Sequence, residues 1–370
     1  MNILAIETSC DETSAAVVRE GREVRSNIIA TQTDLHARYG GVVPELASRQ
    51  HIVAIVPTVE AAIAEAGTTR DEIDAIAVTE GPGLSGSLLV GVNLAKTLAF
   101  AWKKPLIPVN HLEGHIYSNW LRREGDDTPE PEFPAICLIV SGGHTELLLV
   151  HRHGVYEILG RTLDDAAGEA FDKGARILGL GYPGGPAIQQ TAEGARLLVE
   201  LPRSWLGNSY DFSFSGVKTA LLRECDQYRR PKDPRRQSHR DLSAPFPEHE
   251  PPEYSPNMPV AGLAASYQDA IVDVLVTKAV RAAGEHKARS VLLAGGVAAN
   301  RLLRNRLGRQ LDVPLHVPPI EYCTDNAAMI AGAAYQVVRR GVAVGWGLDV
   351  KAQYPLEAVP NVQIVPHGGA

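Results

Sequence analysis

The 370 residues, 45% of them hydrophobic and including 34 glycines and 25 prolines, suffice for two packed lobes, each with its own core, and many tight turns. A formal net charge of -7 excludes a protein coated in basic surface, so any nucleic-acid partner has to be gripped locally. Cys10, Cys137, Cys225 and Cys323 are scattered without a Cys-x-x-Cys pair, which argues against a disulfide framework or a thiolate zinc site and predicts free thiols.

Met1 to Ile6 carries no basic leader, and no later segment reads as apolar enough to cross a bilayer, so the expectation is a cytoplasmic protein with no membrane partner. Asn2 to Ile6 reads as a strand, Glu7 to Ser14 as a polar turn and Ala15 to Val18 as a second strand, together a hairpin. Ala75 to Val78 then feeds Gly81-Pro82-Gly83 and a helical stretch from Ser85 to Phe100. Both designs recur. Ala135 to Val140, the turn Ser141-Gly142-Gly143-His144-Thr145 and Leu147 to Val150 repeat the hairpin, while Ser290 to Leu293, Gly295-Gly296 and the helical Ala298 to Arg309 repeat the strand-loop-helix unit. The pattern predicts a duplicated α/β fold. Gly142-Gly143, Gly184-Gly185 or Gly295-Gly296 alone would be an ordinary turn. Recurrence in both halves points instead to a cleft where backbone N-H groups and helix N-termini receive a phosphate.

His111-Leu112-Glu113-Gly114-His115 sets two imidazoles at i and i+4, on one helix face, where a single cation can take both; a remote carboxylate such as Asp325, beside Asn326, would complete the set. On spacing alone a satisfied helix face is the commoner outcome. Asp11 and Glu12 in the first turn are either solvated or, as acids near a reacting group, candidate proton acceptors, with Asp11 the assigned one. Asn300 is typed as a helix N-cap, and Arg301, Arg304, Arg306 and Arg309 as a solvated basic face open to RNA phosphates.

The strings Glu7-Thr8-Ser9-Cys10-Asp11-Glu12-Thr13, His111 to His115, Val140 to Thr145, Gly168-Glu169-Ala170-Phe171-Asp172-Lys173, Tyr182-Pro183-Gly184-Gly185-Pro186, Asp211 to Gly216, Ala294 to Asn300 and Cys323-Thr324-Asp325-Asn326 stand in the order seen in the bacterial tRNA adenosine threonylcarbamoyltransferases. The chain resembles that family from its first strand to about Ala334. The resemblance implies a two-lobed actin-like, Hsp70-like and sugar-kinase-like fold. It also implies transfer of a threonylcarbamoyl group from threonylcarbamoyl-AMP to the exocyclic amine of the adenosine 3′ of the anticodon, in tRNAs reading codons that begin with A, with release of AMP. By resemblance, His111, His115 and Asp325 hold one divalent metal ion, while Ile139, Val140, Ser141, Gly142, Gly143, Asp172, Gly185 and Asn300 contact the adenylate. Two histidines and one carboxylate favour Fe²⁺ and accept Zn²⁺. The implied partners are tRNA, a degenerate paralogous subunit of the same fold and a P-loop ATPase subunit.

The lobes are expected at 1–130, also receiving a helix at about 320–345, and at 131–320, with 346–370 as a tail. Two departures stand out. Gln189 occupies a position where many relatives carry an aspartate, and Asp226 to Met258, with seven prolines and charges of both signs, reads as a flexible insertion whose basic half is open to tRNA. Three rival functions can be weighed. In a zinc metallopeptidase the basic glutamate directly follows the first histidine, whereas Glu113 lies about 200° round the helix from His111 at roughly 100° per residue. A small-molecule kinase of the same fold would bind magnesium through carboxylates and phosphates and leave the histidines without a task. A chaperone-like ATPase module lacks room for a substrate-binding domain after Ala334.

Overall fold

The computed structural model describes residues 1–230, 246, 248–341, 347–360 and 362–366. The first half builds a sheet from β1 (Asn2–Glu7), β2 (Glu12–Arg19), β3 (Glu23–Thr31), β4 (Ala75–Gly81) and β5 (Leu106–Asn110), ordered β3-β2-β1-β4-β5. α1 (Thr33–Ala37) and α2 (Pro44–Glu65) connect β3 to β4, α3 (Ser85–Trp102) connects β4 to β5, and α4 (His111–Tyr117) follows β5 directly.

The second half repeats the plan. β6 (Ala135–Val140), β7 (Thr145–Arg152) and β8 (Val155–Arg161) lead through α5 (Ala167–Leu178), α6 (Gly184–Ala192), α7 (Ser215–Asp226) and α8 (Val260–Glu285) to β9 (Ser290–Ala294). α9 (Arg301–Gln310), β10 (Leu315–His316), α10 (Ala327–Arg339) and β11 (Gln363–Ile364) complete it. Its sheet runs β10-β9-β6-β7-β8-β11, so β8-β7-β6-β9-β10 mirrors β3-β2-β1-β4-β5, with the same antiparallel meander followed by parallel strands. The two hairpins expected from sequence are therefore three-stranded meanders, extended by β3 and β8.

Period-two burial sorts the core into layers. Leu4 and Ile6 of β1 face α2 and α3, while Ile3 and Ala5 face α10 and α4 in the middle of the molecule. In β6, Cys137 and Ile139 face that same middle layer, and Ile136 and Leu138 face α5 to α9. Both faces of both sheets are thus covered, which explains why β1, β4, β6 and β9 are nearly continuous apolar runs. Each fully buried Leu, Ile or Val in these layers contributes about 1.5–3 kcal/mol by leaving water.

One expectation needs correction. α8 is long and apolar enough by length and composition to cross a membrane, but 72% of its most apolar window is buried inside the protein, where it forms the spine of the outer layer on the second sheet. The insertion at 226–258 lies partly outside the described residues; of its ends, Arg230 N-H donates to Glu253 O (3.0 Å) and Ser255 N-H to Tyr228 O (2.8 Å). The segment after residue 346 packs on both halves: Leu348 joins the core beneath the first sheet, and β11 pairs with β8.

Candidate metal centre

The site gathers at the carboxyl ends of the parallel strands, where open α/β sheets present their loops. Asn110 ends β5 and caps α4, its Oδ1 accepting from Leu112 N-H (2.8 Å) and Glu113 N-H (3.4 Å) while Nδ2 donates to Tyr354 O (2.7 Å). That cap starts the helix at His111, so His111 and His115 share one face. Asn326 caps α10 in the same way by accepting from Met329 N-H (3.1 Å), and Ala327 N-H donates to Ser14 Oγ (2.9 Å). These bonds fix Asp325 against the first hairpin.

The structure brings His111, His115 and Asp325 together, with one potential ligand atom from each lying within 4.8 Å of the others. Asp325 Oδ1 stands 3.4 Å from His111 Nε2 and 3.3 Å from His115 Nε2. Donors each about 2.1 Å from a shared ion, at octahedral to tetrahedral angles, would lie about 3.0–3.4 Å apart. His115 is fully buried, yet neither ring nitrogen makes a hydrogen bond, a costly state for imidazole unless something else engages it. The residues fit a cation.

A fourth residue, missed at the sequence level, completes the set. Glu7, at the end of β1, approaches His111 Nδ1 at 3.1 Å, accepts from Thr79 Oγ1 (2.6 Å) and from Ser9 N-H, and is wholly buried. Holding the Nδ1 proton leaves Nε2 free for a metal, the arrangement carboxylates impose on metal-binding imidazoles. Burial opposes charge on Glu7, but the His111 ring outweighs it and holds the carboxyl below its usual value. Burial likewise opposes charge on His111, yet Asp325 and then Glu7 push it up to about 10. His115 is held down by burial and by His111, despite its contact with Asp325, whose own carboxyl the two histidines keep well below the usual range against burial. His144 is also drawn in: burial, His111 and His115 push it down to about 4. With its pKa at about 10, the metal-free His111 is charged, so a bound divalent ion would take the place of the proton on its Nε2.

The first turn links this centre to the glycine loops. Burial, Asp11 and Asp325 push the Glu12 carboxyl well up, although its surface is partly exposed, and Asp11 also contributes to raising Asp172 and Tyr182. Asp172 on α5 accepts from Gly184 N-H (2.7 Å) at the start of α6, and burial pushes it up to about 6. Ile139 and Val140 are core side chains in β6, so only main chain is available from them. Ser141 N-H and His144 O close the following turn (2.8 Å), and Gly142 and Gly143 are exposed. Gly295, at φ 89°, lies so close that a Cβ there would stand 2.4 Å from Val140 O, which joins the two glycine loops. A Cβ on Gly185 would meet nothing within 4 Å.

Asn300 caps α9 by accepting from Leu303 N-H (3.0 Å) and donates to Gln268 (2.8 Å), so its side chain already has structural partners. The helix begins at Arg301 rather than Ala298, because Asn300 has extended backbone after a short 3-10 turn. Gln189 Oε1 accepts from Arg301 N-H (2.7 Å), a task its neutral amide performs. Most of the basic run is engaged within the protein: Arg301 pairs with Glu193, Arg306 with Asp269, and Arg304 bonds Ala298 O and the buried Cys323. All four cysteines are free. Glu113 forms an ion pair with Arg340 instead of approaching the histidines' ligand atoms, which removes the base a peptidase needs.

The duplicated two-sheet α/β scaffold defines an actin-like and sugar-kinase-like fold, and beside its glycine loops helix-end histidines and an aspartate converge as a group that could hold a metal ion. Solved structures share the architecture: HypF from T. kodakarensis aligns with TM-score 0.58 at 14% identity, over 91% of this chain and 48% of that one. The activator of 2-hydroxyisocaproyl-CoA dehydratase from Clostridium difficile aligns with TM-score 0.50 at 12% identity, over 93% and 98%. In sequence, the family model for tRNA N6-adenosine threonylcarbamoyltransferase matches residues 23–332. A protein of that name from Thermomicrobium roseum is 64% identical over 96% of this chain and 97% of its own length, and one from Bacillus subtilis is 47% identical over 99% and 97%. The chain belongs to the tRNA N6-adenosine threonylcarbamoyltransferase family.

Proposed function

We propose that this chain transfers the threonylcarbamoyl group of threonylcarbamoyl-AMP to the exocyclic amine of the adenosine 3′ of the anticodon, in tRNAs reading codons that begin with A. The observation that carries the reading is the convergence of His111, His115 and Asp325 in a chain of this family. The amine attacks the carbamoyl carbon, the bond from that carbon to the phosphate oxygen breaks, and AMP leaves with the electron pair. Main-chain N-H groups of the Ile139 to Gly143 loop and the Gly185 turn receive the adenylate, and Asp172 accepts from its hydroxyls, with Asn300 holding the α9 end of the cleft. Asp11 takes the amine proton, and Glu12, whose carboxyl burial and Asp11 push well up, stands beside it.

His111, His115 and Asp325 hold one divalent cation, Fe²⁺ in preference to Zn²⁺, with Glu7 keeping the His111 tautomer. The ion, when bound, withdraws charge from the acyl-phosphate oxygens as a Lewis acid. The chain divides into lobes at 1–130 and 131–320 with α10 returning to the first, and it works in the cytoplasm with a paralogous subunit and a P-loop ATPase. The test is recombinant protein with threonylcarbamoyl-AMP and unmodified tRNA, read as threonylcarbamoyladenosine in digested tRNA. His115→Ala and Asp325→Ala lose bound metal and product together; full turnover in both variants refutes the metal's part, and no product from the wild type in the presence of both partner subunits refutes the reaction.

A further inference from the structure

We infer that Glu113 and Arg340 are positioning residues for the cation site: their ion pair, on the side of α4 away from the ligand atoms, fixes how the histidine helix lies across α10. The inference rests on the metal reading above and concerns residues that touch neither ion nor substrate.

Glu113 sits between the two histidines in sequence and is fully buried. Its carboxylate takes a bidentate pair from Arg340, Nη1 to Oε1 at 2.8 Å and Nη2 to Oε2 at 3.1 Å, and accepts from Tyr156 Oη at 3.0 Å. Arg340 is the C-cap of α10, and Asn326, next to Asp325, is its N-cap. The two ends of α10 are therefore about 20 Å apart at 1.5 Å per residue. α4 is attached to α10 at both ends of α10 and between them. Its histidine face meets Asp325 at the start of α10, and Glu113 meets Arg340 at the finish. Between them Gly114 lets α10 approach so closely that a Cβ there would stand 2.8 Å from Ile330 Cδ1.

Seven residues of helix do not hold an orientation alone, so docking decides it. Contact at Gly114 leaves α4 free to roll; an attachment on each side of that contact stops the roll. A buried ion pair is an expensive way to gain stability, because apolar residues of similar volume serve as well, but its fixed fork geometry specifies register. Tyr156 on β8 extends the clamp to the second sheet, so the histidines are held relative to both halves.

The experiment measures Zn²⁺ affinity of the full chain by competition with a chromophoric chelator, and Fe²⁺ affinity anaerobically, beside the thermal midpoint of each metal-free protein. Glu113→Gln, Arg340→Lys and the double variant Glu113→Gln/Arg340→Met are compared, the last so that no buried charge is left unpaired. Expected is a weakening of about tenfold or more in Glu113→Gln and the double variant, the scale on which supporting groups tune metal sites. Arg340→Lys, which keeps the charge but loses the fork, is intermediate. A merely structural pair would lower the metal-free midpoint and leave the affinity of the folded protein unchanged; that result, with wild type binding Zn²⁺, overturns the inference alone. A wild type that binds neither ion overturns the metal reading and the inference with it.

Discussion

Replacing Asp172 with asparagine separates what this carboxylate does for the fold from what it does for a ligand. Burial first, and then the charge of Asp11, raise its pKa from 3.8 to about 6. Between those values the native protein holds a proton that the unfolded chain has released, so stability falls as pH rises through the window. At about 1.4 kcal/mol per pKa unit the ionised carboxylate costs the fold at most about 3 kcal/mol above pH 6, and solvent at this partly buried position reduces that to about 1–2 kcal/mol. Asparagine keeps an oxygen for Gly184 N-H, so Asp172→Asn should be more stable than wild type above pH 6 by that margin. The two should converge below about pH 4. The same variant should bind threonylcarbamoyl-AMP more weakly, since a neutral amide is a poorer acceptor for hydroxyls. Urea unfolding of both proteins from pH 4 to 8, with nucleotide affinity measured in parallel, provides the assay. A stability difference that does not change with pH, or an unchanged affinity, would refute the reasoning.

Other perturbations address the remaining contacts. Glu7→Gln removes the charge that holds His111 Nδ1 and should weaken metal binding about 10–100-fold in chelator competition; unchanged affinity would deny Glu7 that part. Asn300→Ala loses the α9 cap and should cost about 1 kcal/mol of stability by chemical denaturation. Gln189→Ala exposes the Arg301 N-H and should cost about 0.5–1.5 kcal/mol; if an aspartate there stabilises instead, the amide is not matched to this helix end.

Local chemistry made much of the scaffold legible. Asn2 to Ile6 and Ala135 to Val140 announce strands because both faces are buried, and their turns carry unmistakable polar or glycine-rich residues. β3 escaped because its core-facing residues are interleaved with Glu23, Arg25 and Asn27 at a sheet edge, and β10 because two residues carry no period. The histidine pair was legible from its i, i+4 spacing. Glu7 was not, because a glutamate after an apolar strand reads as the first turn residue. Its meaning lies in Thr79 and His111, which only the folded sheet brings to it. The partners of the α9 arginines were illegible for the same reason: Glu193, just after α6, pairs with Arg301, and Asp269, on α8, pairs with Arg306.

The duplication also explains where the cation site falls. In each half the chain leaves the fifth strand and enters an asparagine-capped helix: Asn110 and α4 after β5, Asn326 and α10 after β10. These equivalent helices occupy the layer between the sheets, where α10 packs on β1 and β2 and α4 reaches β6 and β9 of the opposite half. His111 directly follows one cap and Asp325 directly precedes the other, so residues flanking equivalent positions in the two repeats meet where the helices cross. Such a junction holds two sets of side chains at close range without requiring a loop to span the cleft. Because α10 packs on β1, β2 and α4, both helices belong to the first lobe, and the spacing of His111, His115 and Asp325 is set within it.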